Sequence, residues 1–159
     1  MELPSINMEI QSPYRKKLKV GDIFRLKYPN SRYLFGQITS LSAKAAGFKD
    51  CIKINVFESE HNCPDCPIKQ SSKKLLIAPL FINRLGFSRG YMPVISNTDV
   101  IKTSSKYCYF DALFKKHLND DGVEIPQATG LVGAWGLSNY LVLDDLVSEI
   151  LGIGVMEDA

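Results

Sequence analysis

The sequence predicts an α+β protein that is mainly β, a curved antiparallel sheet or small barrel with a short C-terminal helix. Three observations carry that expectation: a hairpin pattern over Leu18 to Leu41, an alternating run at Ile52 to Val56, and one helical apolar stripe near the C-terminus. Residues 1–17 hold Pro4, Pro13 and the basic run Arg15, Lys16, Lys17 with little periodicity. They read as a loose arm or irregular lead-in to a single β-rich domain over 18–159. Phe24, Leu26 and Tyr28 then alternate with Arg25 and Lys27, the period of a strand with one buried and one wet face. Gly21 and Asp22 stand at its start, where a backbone kink or a side-chain to backbone hydrogen bond is expected. Pro29, Asn30 and Ser31 form a turn, and the chain resumes as Tyr33 to Ile38, with Gly36 pointing to a bulge or a close backbone approach.

Ser42 to Asp50 is too punctuated for a helix, and Ile52, Ile54 and Val56 alternate with Lys53 and Asn55 as a third strand, in meander order. Glu58 to Lys74 is a long polar loop. Leu75 to Asn83 reads as a buried strand in which Pro79 forces a bulge or an edge. Arg84 to Met92 reads as turns beside a strand at Tyr91 to Ile95, and Tyr107 to Leu118 fits either a short helix or a strand at its aromatic start. Asp120, Asp121 and Gly122 make a turn. Thr129 to Trp135 and Tyr140 to Leu143 are expected as strands around a turn at Gly136 to Asn139. Asp144 is the expected N-cap of the C-terminal helix, with Leu146, Val147, Ile150 and Leu151 as its apolar stripe and Gly152 as its stop. Asp145 and Glu149 fall four apart on its wet face.

Hydrophobic residues at 45% and charged residues at 23% of 159 fit a folded domain and exclude the disordered and fibrous classes. The opening MELPSINMEIQSPYRKK lacks a positive start followed by an apolar run, and no apolar stretch approaches the roughly 18 residues of a membrane span. The expected compartment is the cytoplasm, with no membrane partner and with the four cysteines reduced. The net charge of +2 hides a division. The first 117 residues hold all 19 bases and nine acids, a formal +10, while from Leu118 onward there are eight acids and no Lys or Arg.

Recognisable chemistry is sparse. His61-x-Cys63-x-x-Cys66 has a spacing that lets thiolates meet one metal ion or form a redox pair. A structural zinc site needs four ligands, and only Cys51, Cys108 and His117 remain as scattered candidates; no strand-to-helix context supports a redox motif. No metal site and no cofactor is expected. G-x-S-x-G, H-E-x-x-H, phosphate-loop and dinucleotide glycine patterns are absent, and the adjacent acids Asp120–Asp121 and Asp144–Asp145 read as turn and cap residues. No catalytic residue is assigned, and the chain is not expected to be an enzyme.

Lys19-Val20-Gly21-Asp22-Ile23-Phe24, followed by a strand closed by Tyr33 to Ile38 with its Gly36, resembles the immunity protein 26 family of bacterial polymorphic toxin and contact-dependent inhibition systems. The resemblance covers mainly residues 18–57. It implies a mostly β protein that binds and neutralises a cognate toxin, the C-terminal domain of a large secreted protein, and it carries over no catalytic residues. Many such toxins are nucleases with basic clefts. An acidic face drawn from Asp120, Asp121, Glu124, Asp144, Asp145 and Glu149 is therefore the expected partner-binding surface, with Trp135 or Tyr140 as an aromatic anchor. The same K-V-G-D start also looks like that of small nucleic-acid-binding β-barrels. In that alternative Arg15, Lys16, Lys17, Lys19, Arg25, Lys27 and Arg32 meet phosphates, with Tyr14, Tyr28 or Tyr33 stacking on bases.

Overall fold

In the computed structural model, which describes residues 6–58, 64 and 73–153, the predicted hairpin forms the middle of the larger sheet. β1 (Asp22–Tyr28) pairs antiparallel with β2 (Arg32–Ala45), and Asn30 and Ser31 take positive φ (67° and 55°) to turn the chain between them. The expected bond at the start of β1 is present: the Asp22 carboxylate accepts from the Lys19 N–H at 2.8 Å. Gly36 is explained by close approach, since a Cβ there would stand 2.3 Å from Phe24 Cζ and 2.5 Å from the Asn55 carbonyl oxygen. The bulges lie further along β2, where its register against β3 (Phe48–Val56) shifts between Ile38 and Ala45.

On the far side of β3 lies β4 (Leu80–Ile82), and beyond that the parallel β10 (Leu137–Ser138); β5 (Val94–Asn97) pairs with β1 at the opposite edge. The six-stranded order is β10-β4-β3-β2-β1-β5. A second sheet, in the order β8-β7-β6-β9, is built from β6 (Tyr107–Asp111), β7 (Lys116–Leu118), β8 (Glu124–Ile125) and β9 (Leu131–Ala134), with β9 parallel to β6. Neither sheet closes, so of the two predicted forms it is the open sheet, not the barrel, that is realised. Tyr107 to Leu118 is two strands and a turn rather than a helix. α1 (Leu85–Ser88) is a single turn where only turns were expected.

Alternation along the central strands feeds two cores. Phe24, Leu26, Leu34, Ile38, Ile54 and Val56 face one, which is covered by α1 and by α2 (Tyr140–Leu151) through Phe87, Tyr140, Leu143 and Val147. Ile23, Tyr33 and Phe35 face the other, against Tyr107 and Leu131 of the second sheet. The central sheet is thus buried on both sides, and Arg25 and Lys27 are half-buried instead of lying on a wet face. The arm at 6–17 is irregular, as its composition predicts, but it is not loose. Glu9 donates its N–H to the Lys27 carbonyl, Gln11 to that of Gly90 and Tyr14 to that of Phe87, all at 2.8–2.9 Å, and Met8 is buried.

The C-terminal helix starts earlier than expected. Tyr140 to Leu143 is not a strand but the first turn of α2, and its N-cap is Asn139, not Asp144: the Asn139 carbonyl oxygen Oδ1 accepts from the N–H groups of Leu141 and Val142 at 2.9 and 3.1 Å. Gly152 ends it in the left-handed region at φ 73°, as predicted. The buried face is also rotated relative to the expected stripe. The buried row is Tyr140, Leu143, Asp144, Val147 and Ser148, so Leu146 and Ile150 lie outside rather than in the stripe.

Candidate functional site

That rotation creates the most distinctive surface of the molecule. Val142, Leu146 and Ile150 recur every four residues along α2 and remain 38%, 37% and 51% exposed, a second apolar row beside the buried one. Across from them lies β9, whose Val132 is 50% exposed. Between helix, strand and the stretch at 76–80 lies a cleft of about 290 Å³, walled by Leu76, Ala78, Val132, Leu146 and Ile150, with Glu149 in its lining. Three turns of exposed aliphatic side chains meeting an edge strand in a concave surface are the usual mark of a binding groove, not of scattered surface residues. Glu149 lines the groove, Asp145 is exposed one turn earlier on the same helix, and neither α2 nor β9 holds a basic residue.

The six acids expected on one face do not form one. Asp145 and Glu149 are exposed on α2 as predicted, and Asp121 and Glu124 are exposed in the β7–β8 hairpin. Asp144 is buried. Its carboxylate accepts the backbone N–H groups of Asn7 at 3.0 Å and Met8 at 2.9 Å, and the Ser148 hydroxyl at 3.4 Å, so it ties α2 to the N-terminal arm. Burial raises its carboxyl above the ordinary value, with the Asp145 charge adding to it, against the Asn7 and Met8 amides and the nearby Tyr28 hydroxyl that lower it. The buried Tyr28 hydroxyl lies beside this carboxylate without an aligned hydrogen bond, and burial, then the Asp144 charge, pushes it well above the usual tyrosine range. Asp144 therefore leaves the partner surface, because the helix turns it inward with the core row.

Asp120 is tied up differently. It accepts from the Tyr107 hydroxyl, from the Tyr109 hydroxyl at 2.7 Å and from Lys53 Nζ at 2.8 Å. Burial works to raise its carboxyl, but the three donors outweigh it and hold the group below its usual value. Lys53 belongs to the larger sheet and the tyrosines to the smaller, so this carboxylate fastens the two together. Trp135 is packed edge-on to Phe81 at 5.7 Å between ring centres and tilted against Tyr109 at 5.5 Å, half-buried at the edge of a small core cluster.

Sequence reasoning missed the groove residues Val132, Val142, Leu146 and Ile150 as a binding surface. A signal was present: YLVLDDLVSEIL holds eight apolar residues in twelve, more than one buried face of a helix takes up. Of the residues named for nucleic-acid binding, Arg15, Lys16, Lys17 and Lys19 are exposed, but Tyr28 and Tyr33 are buried and present no face for stacking. Arg25 donates to Gln11 Oε1 at 2.6 Å and Lys27 pairs with Glu9 at 3.5 Å. His61, Cys63 and Cys66 lie outside the described residues, Cys51 and Cys108 are buried thiols, and His117 packs against the Phe110 ring. Among the described residues no helix is long and apolar enough to cross a membrane, and no group of three or more His, Cys, Asp or Glu is placed to hold a metal ion. Compared with family models, curated proteins and solved structures, the chain matches none.

Proposed function

We propose that this chain is a cytoplasmic immunity protein that binds a cognate toxin domain, a nuclease, and blocks it by stoichiometric occlusion. The observation that carries the reading is the apolar groove between α2 and β9 with Asp145 and Glu149 beside it. Covering what remains exposed of each of these Val, Leu or Ile side chains contributes about half or less of the roughly 1.5–3 kcal/mol of a fully exposed one, so the four aliphatics together add to the stability of a protein complex. The two acids suit the basic cleft of a nuclease and speed the encounter with it. The resemblance of residues 18–57 to the immunity protein 26 family points the same way. Nucleic-acid binding is the weaker reading, since Tyr28 and Tyr33 are buried and Tyr14 alone of the three tyrosines named for stacking is half-exposed.

The test is a tagged pull-down at moderately high salt with nuclease added, followed by titration of the purified partner. The expected result is one stoichiometric protein partner whose toxic activity falls to zero at a one-to-one ratio. Retention of nucleic acid before nuclease treatment and of nothing after it would overturn the reading in favour of a phosphate-binding protein.

A further inference from the structure

The edge of β9 specifies the kind of ligand the groove takes. β9 is the terminal strand of its sheet, and its ladder to β6 begins with the Leu131 N–H on the Lys106 carbonyl (3.0 Å) and ends with the Trp135 N–H on that of Phe110 (3.1 Å). In a parallel ladder these rungs fall on every second residue, so Leu131, Gly133 and Trp135 turn their backbone groups to β6. Val132 and Ala134 then turn theirs to the opposite edge, and among the described residues nothing accepts from the N–H of either. A bare strand edge is a template for another strand.

The opposite wall is matched to such a ligand. Side chains four apart on a helix are separated by about 6 Å along its axis. Alternate side chains of an extended chain are about 6.6–6.8 Å apart, nearly the same step. An extended segment paired with β9 shares the groove with Val142, Leu146 and Ile150, and its side-chain step matches theirs. Its flanking residues meet Glu149; the base that approaches this end of α2, Arg32, donates to the Leu151 carbonyl at 3.5 Å. We propose that the groove binds an extended peptide segment of the partner, apolar at alternate positions and carrying Lys or Arg, which adds as a strand to the free edge of β9. The proposal rests on the protein-binding reading of the groove and names its ligand and mode.

The experiment uses the full chain and peptides enriched on it from a random dodecamer phage library, with affinities measured by fluorescence anisotropy. Val132→Pro removes the outward N–H at an edge position that tolerates proline, while Val132→Thr keeps it. The enriched peptides are expected to alternate apolar residues and to carry basic ones. Leu146→Asp abolishes binding, Val132→Pro weakens it tenfold or more, and Val132→Thr, which keeps the N–H but exchanges a wall methyl for a hydroxyl, weakens it several-fold less than Val132→Pro does. A second measurement leaves the protein untouched: methylating each peptide amide in turn should impair binding at every second position. If Leu146→Asp abolishes binding but neither Val132→Pro nor any methylation matters, strand addition is wrong and the groove still binds protein. If no peptide is enriched, or Leu146→Asp has no effect, the groove reading falls with it.

Discussion

Asp120 and Asp144 are both aspartates read from sequence as surface acids, and both turn out to anchor distant segments, but by opposite physics. Asp120 keeps 42% of its side chain open to water and faces a cation and two hydroxyls, so its charge is the favoured form. Asp144 is buried, and among the described residues no Lys or Arg pairs with it; its partners are the two arm amides and Ser148. Amide dipoles and a hydroxyl offset less of the desolvation of a carboxylate than an ammonium group does, and burial wins at Asp144. The first site joins two sheets with a charge that remains wet, and the second joins an arm to a helix with a charge that burial disfavours.

The comparison breaks most sharply at Asp144. Asp144→Ala leaves the Asn7 and Met8 amides without their acceptor in a buried site, and about 3 kcal/mol of stability should be lost in urea unfolding at neutral pH. Hydrogen exchange at those two amides should rise before the sheet opens. Unchanged protection there would mean that the arm is held by its bonds to Lys27, Gly90 and Phe87 alone. At the other site Tyr109→Phe removes one buried hydroxyl from a charged acceptor, for an expected loss of about 1.5–2 kcal/mol. Lys53→Met should cost less, about 0.5 kcal/mol and shrinking with salt, since half-open ion pairs contribute little. A larger loss than that of Tyr109→Phe would make the cation, not the hydroxyls, the chief support of Asp120.

What was legible in the sequence follows the distance over which each feature is made. The hairpin, the third strand, the Asp22 bond and the Gly152 stop are set within a few residues and were readable. The roles of Asp144 and Asp120 were not, because their partners lie 137 and 67 residues away in the chain. Tyr140 to Leu143 was misread because a four-residue apolar run fits strand and helix equally, and the Asn139 cap decided it. The groove was invisible for a further reason. It is assembled from three separate stretches, at 76–80, 131–134 and 142–150, and its exposed row mimics the buried stripe that a C-terminal helix is expected to have.

The smallest effect tests the comparison most directly, because the two sites should answer pH with opposite signs. Asp120 has its folded-state value below that of the unfolded chain, so the unfolded state takes up a proton first as pH falls. Its contribution is complete above the ordinary aspartate value of about 3.9 and is lost as pH drops through the folded value. Asp144 is shifted the other way. The folded state binds the proton more readily, so its contribution is complete below about 3.9 and is lost as pH rises through the raised value. Urea midpoints for the natural chain, Asp120→Asn and Asp144→Asn from pH 3 to 7 isolate each site by difference. The stability advantage of the natural chain over Asp120→Asn should grow with pH on the acid side of 3.9, and that over Asp144→Asn should shrink with pH above it. Slopes of the same sign would mean that two amides and a hydroxyl stabilise the charge of Asp144 as effectively as Lys53 and the tyrosines stabilise that of Asp120.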